Sequence, residues 1–296
     1  QDGRRRRGIE GTPMIAIGNA LRQGTQAIQG QCISQTPLLD ASLLLCAVTG
    51  MTREQLYSRS AHLLSTQEFH RYTELIAQRC ESQPIAYLTG TREFFGHAFT
   101  VTPDVLIPRA DTEILVEQAV LMLGAHDGQK VLDLCCGSGC IGISVASAVE
   151  SATVALADIS ESALVVAGKN SRSILGRSLE TVASDLYRAL QNRRFHMIMT
   201  NPPYLTDQWY EQTEMQVRKE PELALIGGGE DGLDIIRRII GESPDHLEAG
   251  GTLLIECDYR QNESVAKLLA ERGFSSIGKR EDLAQVRRIV WGTWHV

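Results

Sequence analysis

No stretch of this sequence is apolar for long enough to cross a membrane, because charged residues interrupt its best hydrophobic runs. It has no excess of basic residues either: 29 lysines and arginines stand against 36 aspartates and glutamates, for a net charge of −7. A chain of this charge is not built to coat nucleic acid, although a local basic patch is compatible with it. With 296 residues, 43% of them hydrophobic, it is long enough for two domains or for one large domain.

Cysteines are few, and their spacing shows no pairing. There are seven, an odd number, and no Cys-x-x-Cys pair occurs. This pattern indicates reduced thiols in a cytoplasmic protein and predicts neither a disulfide framework nor a metal site. The run Cys135-Cys136-x-x-x-Cys140 does not have common ligand spacing, so we interpret it as small-residue packing. No Ser-His-Asp or Cys-His arrangement indicates a covalent mechanism.

The first 90 residues contain no strand pattern. Residues 1–13, with a run of four arginines, are expected to form a disordered extension, and a nucleic-acid-binding arm is the alternative. Residues 14–90 are expected to form a small all-helical domain. Thr52-x-x-Gln55 and Ser65-x-x-Glu68 have capping-box spacing and predict the starts of two helices. Because this segment carries no convincing catalytic set, we expect it to dock a substrate.

The hydrophobic period changes after residue 90. Phenylalanines on both sides of Gly96 predict a β-hairpin linker over residues 91–107. Strand and helix patterns then alternate over residues 108–296, which predicts an α/β domain with a doubly wound, mostly parallel seven-stranded sheet. The last two strands have no helix between them and are expected to pair as an antiparallel hairpin at one edge. The strands are predicted at 129–134, 153–158, 179–183, 195–200, 250–256, 274–279 and 286–294, and the helices at 139–149, 161–171, 230–243 and 261–272.

A strand, a loop of small residues and a helix start follow one another over residues 131–142. Glycines let the backbone approach a ligand, and the helix N-terminus supplies free N–H groups. This pattern is shared with nicotinamide-binding folds, but two features favour another cofactor. Asp133 lies at the end of the strand, just before the loop, where a phosphate-binding loop would not want a second negative charge. The glycine spacing is also not that of a pyrophosphate-binding loop.

The next two strands also end in acidic residues. Asp158 comes 19 residues after Gly139, where a carboxylate can accept both hydroxyls of a ribose. Dinucleotides and S-adenosylmethionine both carry such a ribose. Asp185 and Leu186 follow the third strand and could hold an adenine by its amino group and by apolar contact.

Asn201-Pro202-Pro203-Tyr204 follows the buried strand 195–200. The two prolines end the strand and fix a rigid corner, where an Asn amide, a proline carbonyl and an aromatic face can converge. Two acceptors and a ring suit a planar group that carries an NH2. Arg109, just after a proline at the expected joint between the domains, is a further candidate for substrate binding.

Several longer motifs extend this pattern over residues 35–295. They are Leu39-Asp40-Ala41, Pro84-Ile85-Ala86-Tyr87-Leu88-Thr89-Gly90, Glu93-Phe94-Phe95-Gly96, Ile107-Pro108-Arg109-Ala110-Asp111-Thr112-Glu113, Glu220-Pro221-Glu222-Leu223-Ala224-Leu225, Gly228-Gly229-Glu230-Asp231-Gly232-Leu233 and Gly250-Gly251-Thr252-Leu253-Leu254-Ile255-Glu256. With Asn-Pro-Pro-Tyr they make the chain resemble the HemK/PrmC family of release factor glutamine methyltransferases. These are Rossmann-like class I methyltransferases that modify a planar nitrogen.

The resemblance implies S-adenosylmethionine as cofactor and release factors as protein partners. The acidic charge balance predicts no stable nucleic-acid partner, the lack of a long apolar run predicts no membrane, and we expect a monomer. The acceptor it implies is the glutamine of a Gly-Gly-Gln loop. Catalytic roles then fall on Asn201, Pro202 and Tyr204, and substrate contacts on 201–204 and Arg109. The predicted cofactor contacts are Asp133, Cys135, Cys136, Gly137, Ser138, Gly139, Asp158, Asp185, Leu186 and Asn201.

The chain departs from the family pattern at three places. Cys135-Cys136 replaces the usual Gly-Thr, Ala110 replaces a proline, and Asp258 stands where a glycine usually follows Glu256. None of these changes removes a group that methyl transfer needs. Three rival functions stay open at this stage: a nucleic-acid amino methyltransferase, a non-catalytic methyltransferase-fold subunit and a nicotinamide oxidoreductase.

Overall fold

The computed structural model describes residues 15–31, 33–124, 128–282 and 285–295. The chain divides between Thr89 and Gly90 into two compact units. The extension predicted at residues 1–13 lies outside the described residues. Within them, no helix is both long and apolar enough to span a membrane.

The N-terminal unit is helical, as predicted. Both capping boxes are confirmed: Thr52 and Ser65 each accept from a backbone N–H three residues later, and the side chains of Gln55 and Glu68 accept in return. Its helices are α1 (Ile17–Gly30), α2 (Pro37–Thr49), α3 (Arg53–Ser58), α4 (Thr66–Cys80) and α5 (Ile85–Thr89).

A buried ion pair joins α2 to α4 inside this unit. Nε of Arg79 donates to Oδ2 of Asp40 over 2.8 Å, and Nη1 of Arg79 donates to the Gln83 carbonyl. Both charged side chains are buried, at 4% and 9% exposure. Burial of a charge costs much free energy unless a partner compensates it, so each residue depends on the other.

The C-terminal unit begins with the hairpin of β1 (Thr91–Phe94) and β2 (His97–Thr100). Phe95 and Gly96 make its two-residue turn at φ 49° and 74°. The predicted hairpin range of 91–107 is therefore too long, because the paired strands end at Thr100.

Asn170 of α8 holds the Thr100 end of the hairpin. Its Oδ1 accepts from the Thr100 N–H over 2.8 Å, and its Nδ2 donates to the Thr100 carbonyl and to the Ser138 carbonyl.

The main sheet has seven strands in the order β5-β4-β3-β6-β7-β9-β8. The first five are parallel, and β9 is antiparallel to both of its neighbours, which confirms the doubly wound sheet and its edge hairpin. The strands are β3 (Lys130–Leu134), β4 (Thr153–Asp158), β5 (Glu180–Ala183), β6 (Phe195–Thr200), β7 (Leu247–Glu256), β8 (Ser275–Glu281) and β9 (Arg287–Thr293). The helices are α6 (Glu113–Leu123), α7 (Cys140–Ala148), α8 (Glu161–Leu175), α9 (Asp207–Glu211), α10 (Asp234–Glu242) and α11 (Asn262–Arg272).

Alternate residues of each central strand enter two cores on opposite faces of the sheet. Met197 and Met199 of β6 pack with α6, α7 and α8, whereas Ile198 between them packs with α10 and α11. Because both faces are covered, the central strands are mostly apolar. Their polar residues are concentrated near the strand ends.

Helix α10 begins at Asp234, and not at residue 230 as the sequence pattern predicted. Gly228, Gly229 and Gly232 have φ values of 78°, 71° and 74°, so the preceding segment is a loop. A Cβ on Gly232 would lie 2.2 Å from the carbonyl oxygen of Tyr204. Close approach to Tyr204 explains Gly232, and close approach to Asp234 explains Gly229, where a Cβ would lie 2.7 Å from Oδ1 of Asp234.

The ion pair in the N-terminal unit gives a stability prediction. Asp40→Ala leaves the Arg79 guanidinium buried without its carboxylate and should lower the free energy of unfolding by about 3 to 5 kcal/mol. Glu74→Ala, which breaks the exposed pair with Arg71, is the control and should cost about 1 kcal/mol or less. Urea unfolding of both variants checks the difference, and equal losses would contradict it.

Candidate active site

A cavity of about 270 Å³ lies in the C-terminal unit, at the carboxyl ends of β3, β4 and β6. Ligands of open α/β sheets bind at this edge because the connecting loops meet there. Among the predicted site residues, those that line it are Arg109, Cys135, Cys136, Gly137, Ser138, Asp158, Asp185, Leu186, Asn201 and Pro203. The loops predicted to hold a cofactor and an acceptor therefore share one cavity.

The loop after β3 exposes backbone to this cavity. Gly137 has φ 51° and open space around the position of a Cβ, so a ligand can approach its main chain. Cys135 also has a left-handed backbone, at φ 60°, a conformation that costs roughly 1 kcal/mol outside glycine. This is the physical reason that a glycine suits position 135, and its replacement places a thiol in the cavity wall.

Asp158 fixes the loop from the end of β4. Its Oδ2 accepts from the Gly137 N–H over 2.8 Å, and its Oδ1 accepts from the Ser160 N–H over 2.9 Å. Burial raises the pKa of this carboxyl, while the two backbone donors oppose that rise. Each carboxylate oxygen keeps a lone pair after accepting one hydrogen bond. Asp158 can therefore accept the two hydroxyls of a ribose without releasing the loop.

Asp133 and Gly139 lie behind the loop and outside the cavity wall. Oδ2 of Asp133 accepts from the Gly142 N–H over 2.8 Å. A Cβ on Gly139 would lie 2.8 Å from Cδ1 of Ile143 and 3.1 Å from Cβ of Ala167. The two residues support the loop from beneath: one by a hydrogen bond, the other by close packing.

The end of β5 supplies another wall of the cavity. Leu186 is buried at φ 49°, and Asp185 is paired with Arg238, whose Nη2 lies 3.0 Å from Oδ1. Arg238 lines the same cavity and was not expected from the sequence. Exposed Ile159 and Leu223 add apolar surface to the lining.

The corner after β6 presents two of its four residues to the cavity, Asn201 and Pro203. Pro202 is buried, and the ring of Tyr204 packs against the core that contains α10 and α11. Burial raises the pKa of the Tyr204 phenol well beyond its ordinary value, so the ring stays neutral. The carbonyl of Tyr204 accepts from Nε2 of Gln261 over 2.8 Å, which holds the far end of the corner.

The side chain of Asn201 takes part in a buried hydrogen-bond chain. Its Nδ2 donates to Oγ1 of Thr112 over 3.3 Å, and that hydroxyl donates to Oε1 of Glu256 over 3.1 Å. Burial raises the pKa of Glu256 to about 7, although the bond from Thr112 opposes the rise. Thr112 is the N-cap residue of α6, but its side chain forms no capping bond there. Neither Thr112 nor Glu256 was among the predicted site residues.

The other polar residues of the 109–113 motif also have distant partners. Arg109 pairs with buried Glu220, whose second oxygen accepts from the Ile107 N–H. Nη2 of Arg288 lies 2.7 Å from Oδ2 of Asp111. A third bond joins Oε1 of Glu113 to the backbone N–H in the β1–β2 turn. The motif thus links the hairpin, β7, β9 and the segment after α9 around the cavity.

Comparison with known proteins identifies the fold first. The 16S rRNA N2 methyltransferase of T. thermophilus, solved with AdoMet and guanosine, superimposes with a TM-score of 0.52 at 19% identity, over 69% of this chain and 50% of that one. Residues 110–221 match the family described as Methyltransferase small domain. Fold and cavity define a class I S-adenosylmethionine-dependent methyltransferase.

The sequence narrows this class. Residues 19–90 match the family described as PrmC N-terminal domain. The release factor glutamine methyltransferase of Burkholderia pseudomallei is 40% identical over 90% of this chain and 96% of its own length. That of Pseudomonas aeruginosa is 39% identical over 88% and 94%. The chain belongs to the family of release factor glutamine methyltransferases.

The buried carboxyl of Asp133 gives a prediction on pH. Burial raises its pKa to about 7, so folding favours the protonated form. Its contribution to stability is complete below its ordinary pKa near 4 and is lost as pH rises through about 7. The melting temperature of the wild type should therefore fall more between pH 5 and pH 8 than that of Asp133→Asn. Thermal unfolding at both pH values checks this, and parallel curves would contradict it.

Proposed function

We propose that this chain transfers the methyl group of S-adenosylmethionine to the side-chain amide nitrogen of the glutamine in the Gly-Gly-Gln loop of release factors. The observation that carries the proposal is that the Asn201 amide and the loop from Cys135 to Ser138 line one cavity. Family membership favours a glutamine acceptor over an adenine or guanine amino group.

The residues present fit the cofactor. Asp158 offers carboxylate oxygens to a ribose, Gly137 leaves its main chain open, and Ile159 and Leu186 provide apolar surface for an adenine. When bound, S-adenosylmethionine supplies a methyl group made electrophilic by its sulfonium. Asp185 is available for the adenine amino group once its ion pair with Arg238 opens or shifts.

The acceptor nitrogen is a weak nucleophile, because its lone pair is delocalised into the amide carbonyl. Oδ1 of Asn201 and the carbonyl oxygen of Pro202 would accept its two hydrogens and so fix its position. As the new bond forms, the nitrogen gains positive charge and its protons become more acidic. The acceptors then bind the transition state more strongly than the ground state.

The surrounding residues would act by positioning. Pro203 offers a flat apolar surface beside Asn201, and Tyr204 keeps the corner rigid because its partly buried ring packs against the core. Arg109, held by Glu220 at the cavity wall, has further N–H donors for the substrate backbone. No strong base is required, because the acidified proton can leave to water after transfer.

The N-terminal helical unit is the proposed docking surface for the release factor, and residues 108–296 the methyltransferase domain. Leu38, Tyr57 and Leu63 of the helical unit are large apolar side chains about half exposed, and each would add apolar contact area to such a surface. We further propose that the protein acts as a monomer in the cytoplasm, where release factors meet the ribosome.

Labelled S-adenosylmethionine and a purified release factor test the substrate. Wild-type factor should become labelled, whereas a factor with Glu for Gln in its Gly-Gly-Gln loop should not, because it lacks the amide nitrogen. Label on both factors would show that another residue is the acceptor. Absence of label from both, with cofactor bound, would overturn the proposal.

Asn201→Ala tests the catalytic corner. Loss of one acceptor that is aligned with the transition state should lower kcat by about 100-fold or more. The melting temperature should change little, because the Asn201 side chain is only half-buried. Turnover close to that of the wild type would exclude this role.

A further inference from the structure

The hydrogen-bond chain from Asn201 through Thr112 to Glu256 crosses three elements of the C-terminal unit. Thr200 of β6 pairs with Ile255 of β7, so the next residues, Asn201 and Glu256, lie side by side at this edge of the sheet. The turn before α6 inserts Thr112 between them. Thr112 and Glu256 are 2% and 3% exposed, so water does not compete for these bonds.

The chemistry of the three groups fixes the direction of each bond. Above about pH 7, where the Glu256 carboxyl is ionised, it only accepts hydrogen bonds, and a threonine hydroxyl has one proton to give. Thr112 gives that proton to Glu256 and keeps lone pairs that can only accept. The Asn201 amide must therefore turn its NH2 towards Thr112. Its oxygen is the atom that is left for a substrate.

The opposite orientation of the amide would be unproductive. It would place Oδ1 of Asn201 against the oxygen of Thr112 with no proton between them. It would also place an NH2 group against the NH2 of a substrate amide, so that two donors would face each other. An asparagine can adopt both orientations, because its two ends have nearly the same shape.

We propose that Thr112 and Glu256 are positioning residues for methyl transfer, which hold the Asn201 amide with its oxygen towards the acceptor nitrogen. The inference rests on the proposed function, since only a substrate N–H needs an acceptor at this place. Neither residue touches the reacting atoms. Their effect is exerted through Asn201 and should appear in kcat, with little change in substrate or cofactor binding.

Thr112→Val removes the hydroxyl and preserves the shape of the side chain. It should lower kcat about tenfold or more, with the KM for release factor and the Kd for S-adenosylmethionine within about twofold of wild type. Thr112→Ser keeps the hydroxyl and should recover most of the activity. Ser144→Ala removes another buried hydroxyl of this unit, outside the cavity, and should leave kcat unchanged.

A double-mutant cycle separates orientation of Asn201 from general support of the fold. In an Asn201→Ala background the amide is absent, so adding Thr112→Val should lower kcat by less than about threefold further. If the two losses in kcat multiply instead, Thr112 does not act through Asn201 and the inference is wrong.

Glu256→Gln should also lower kcat. The new NH2 can donate to Thr112, so the Thr112 hydroxyl no longer has to give its proton to residue 256. Unchanged kcat in that variant would overturn the part assigned to Glu256.

The outcomes distinguish this inference from the function on which it rests. If the wild-type enzyme does not label the release factor, the proposed function fails. If it does and Thr112→Val retains full kcat, the function stands and only the inference is overturned. If Thr112→Val and Thr112→Ser lose the same activity, the hydroxyl is not the relevant group.

Discussion

Three carboxylates near the ends of parallel strands, two of them buried and one half-buried, hold the catalytic unit together around its cavity. Asp133 in β3 accepts from the Gly142 N–H, Asp158 in β4 from the Gly137 N–H, and Glu256 in β7 from the Thr112 hydroxyl. Burial opposes ionisation of each carboxyl group and raises its pKa, and the hydrogen bond that the group accepts offsets part of that rise. Each carboxylate thus needs one particular loop conformation, and the loops that would meet cofactor and substrate are fixed by the sheet beneath them.

The residues from 109 to 113 extend this support to the substrate side. Their partners lie in the hairpin, in the strands β7 and β9, and at Glu220 in the segment after α9. A short polar stretch can join so many elements because each side chain leaves the backbone in a different direction. The result is an acceptor site whose own residues need little freedom to move. This suits a reaction that relies on alignment more than on acid or base strength.

The features that could be predicted from the sequence are those that depend on residues close together in the chain. Capping boxes, the small-residue loop and the alternation of strand and helix are patterns within a few residues, and the structure has them. Local patterns misplaced the start of α10, because the glycines before it allow close approaches to Asp234 and Tyr204 that the pattern does not show. The contacts of the site itself were not predictable in this way. Thr112 and Glu256 are 144 residues apart and meet only because the turn before α6 packs against the end of β7.

Asn170 has a consequence for how the molecule opens. Its amide makes three hydrogen bonds, two with Thr100 at the end of the hairpin and one with the Ser138 carbonyl in the cofactor loop. A single side chain therefore spans two segments that the sequence separates by more than thirty residues. Neither segment can detach without breaking bonds to that amide. In hydrogen exchange the hairpin end and the loop should lose protection together, as one cooperative unit of the native state.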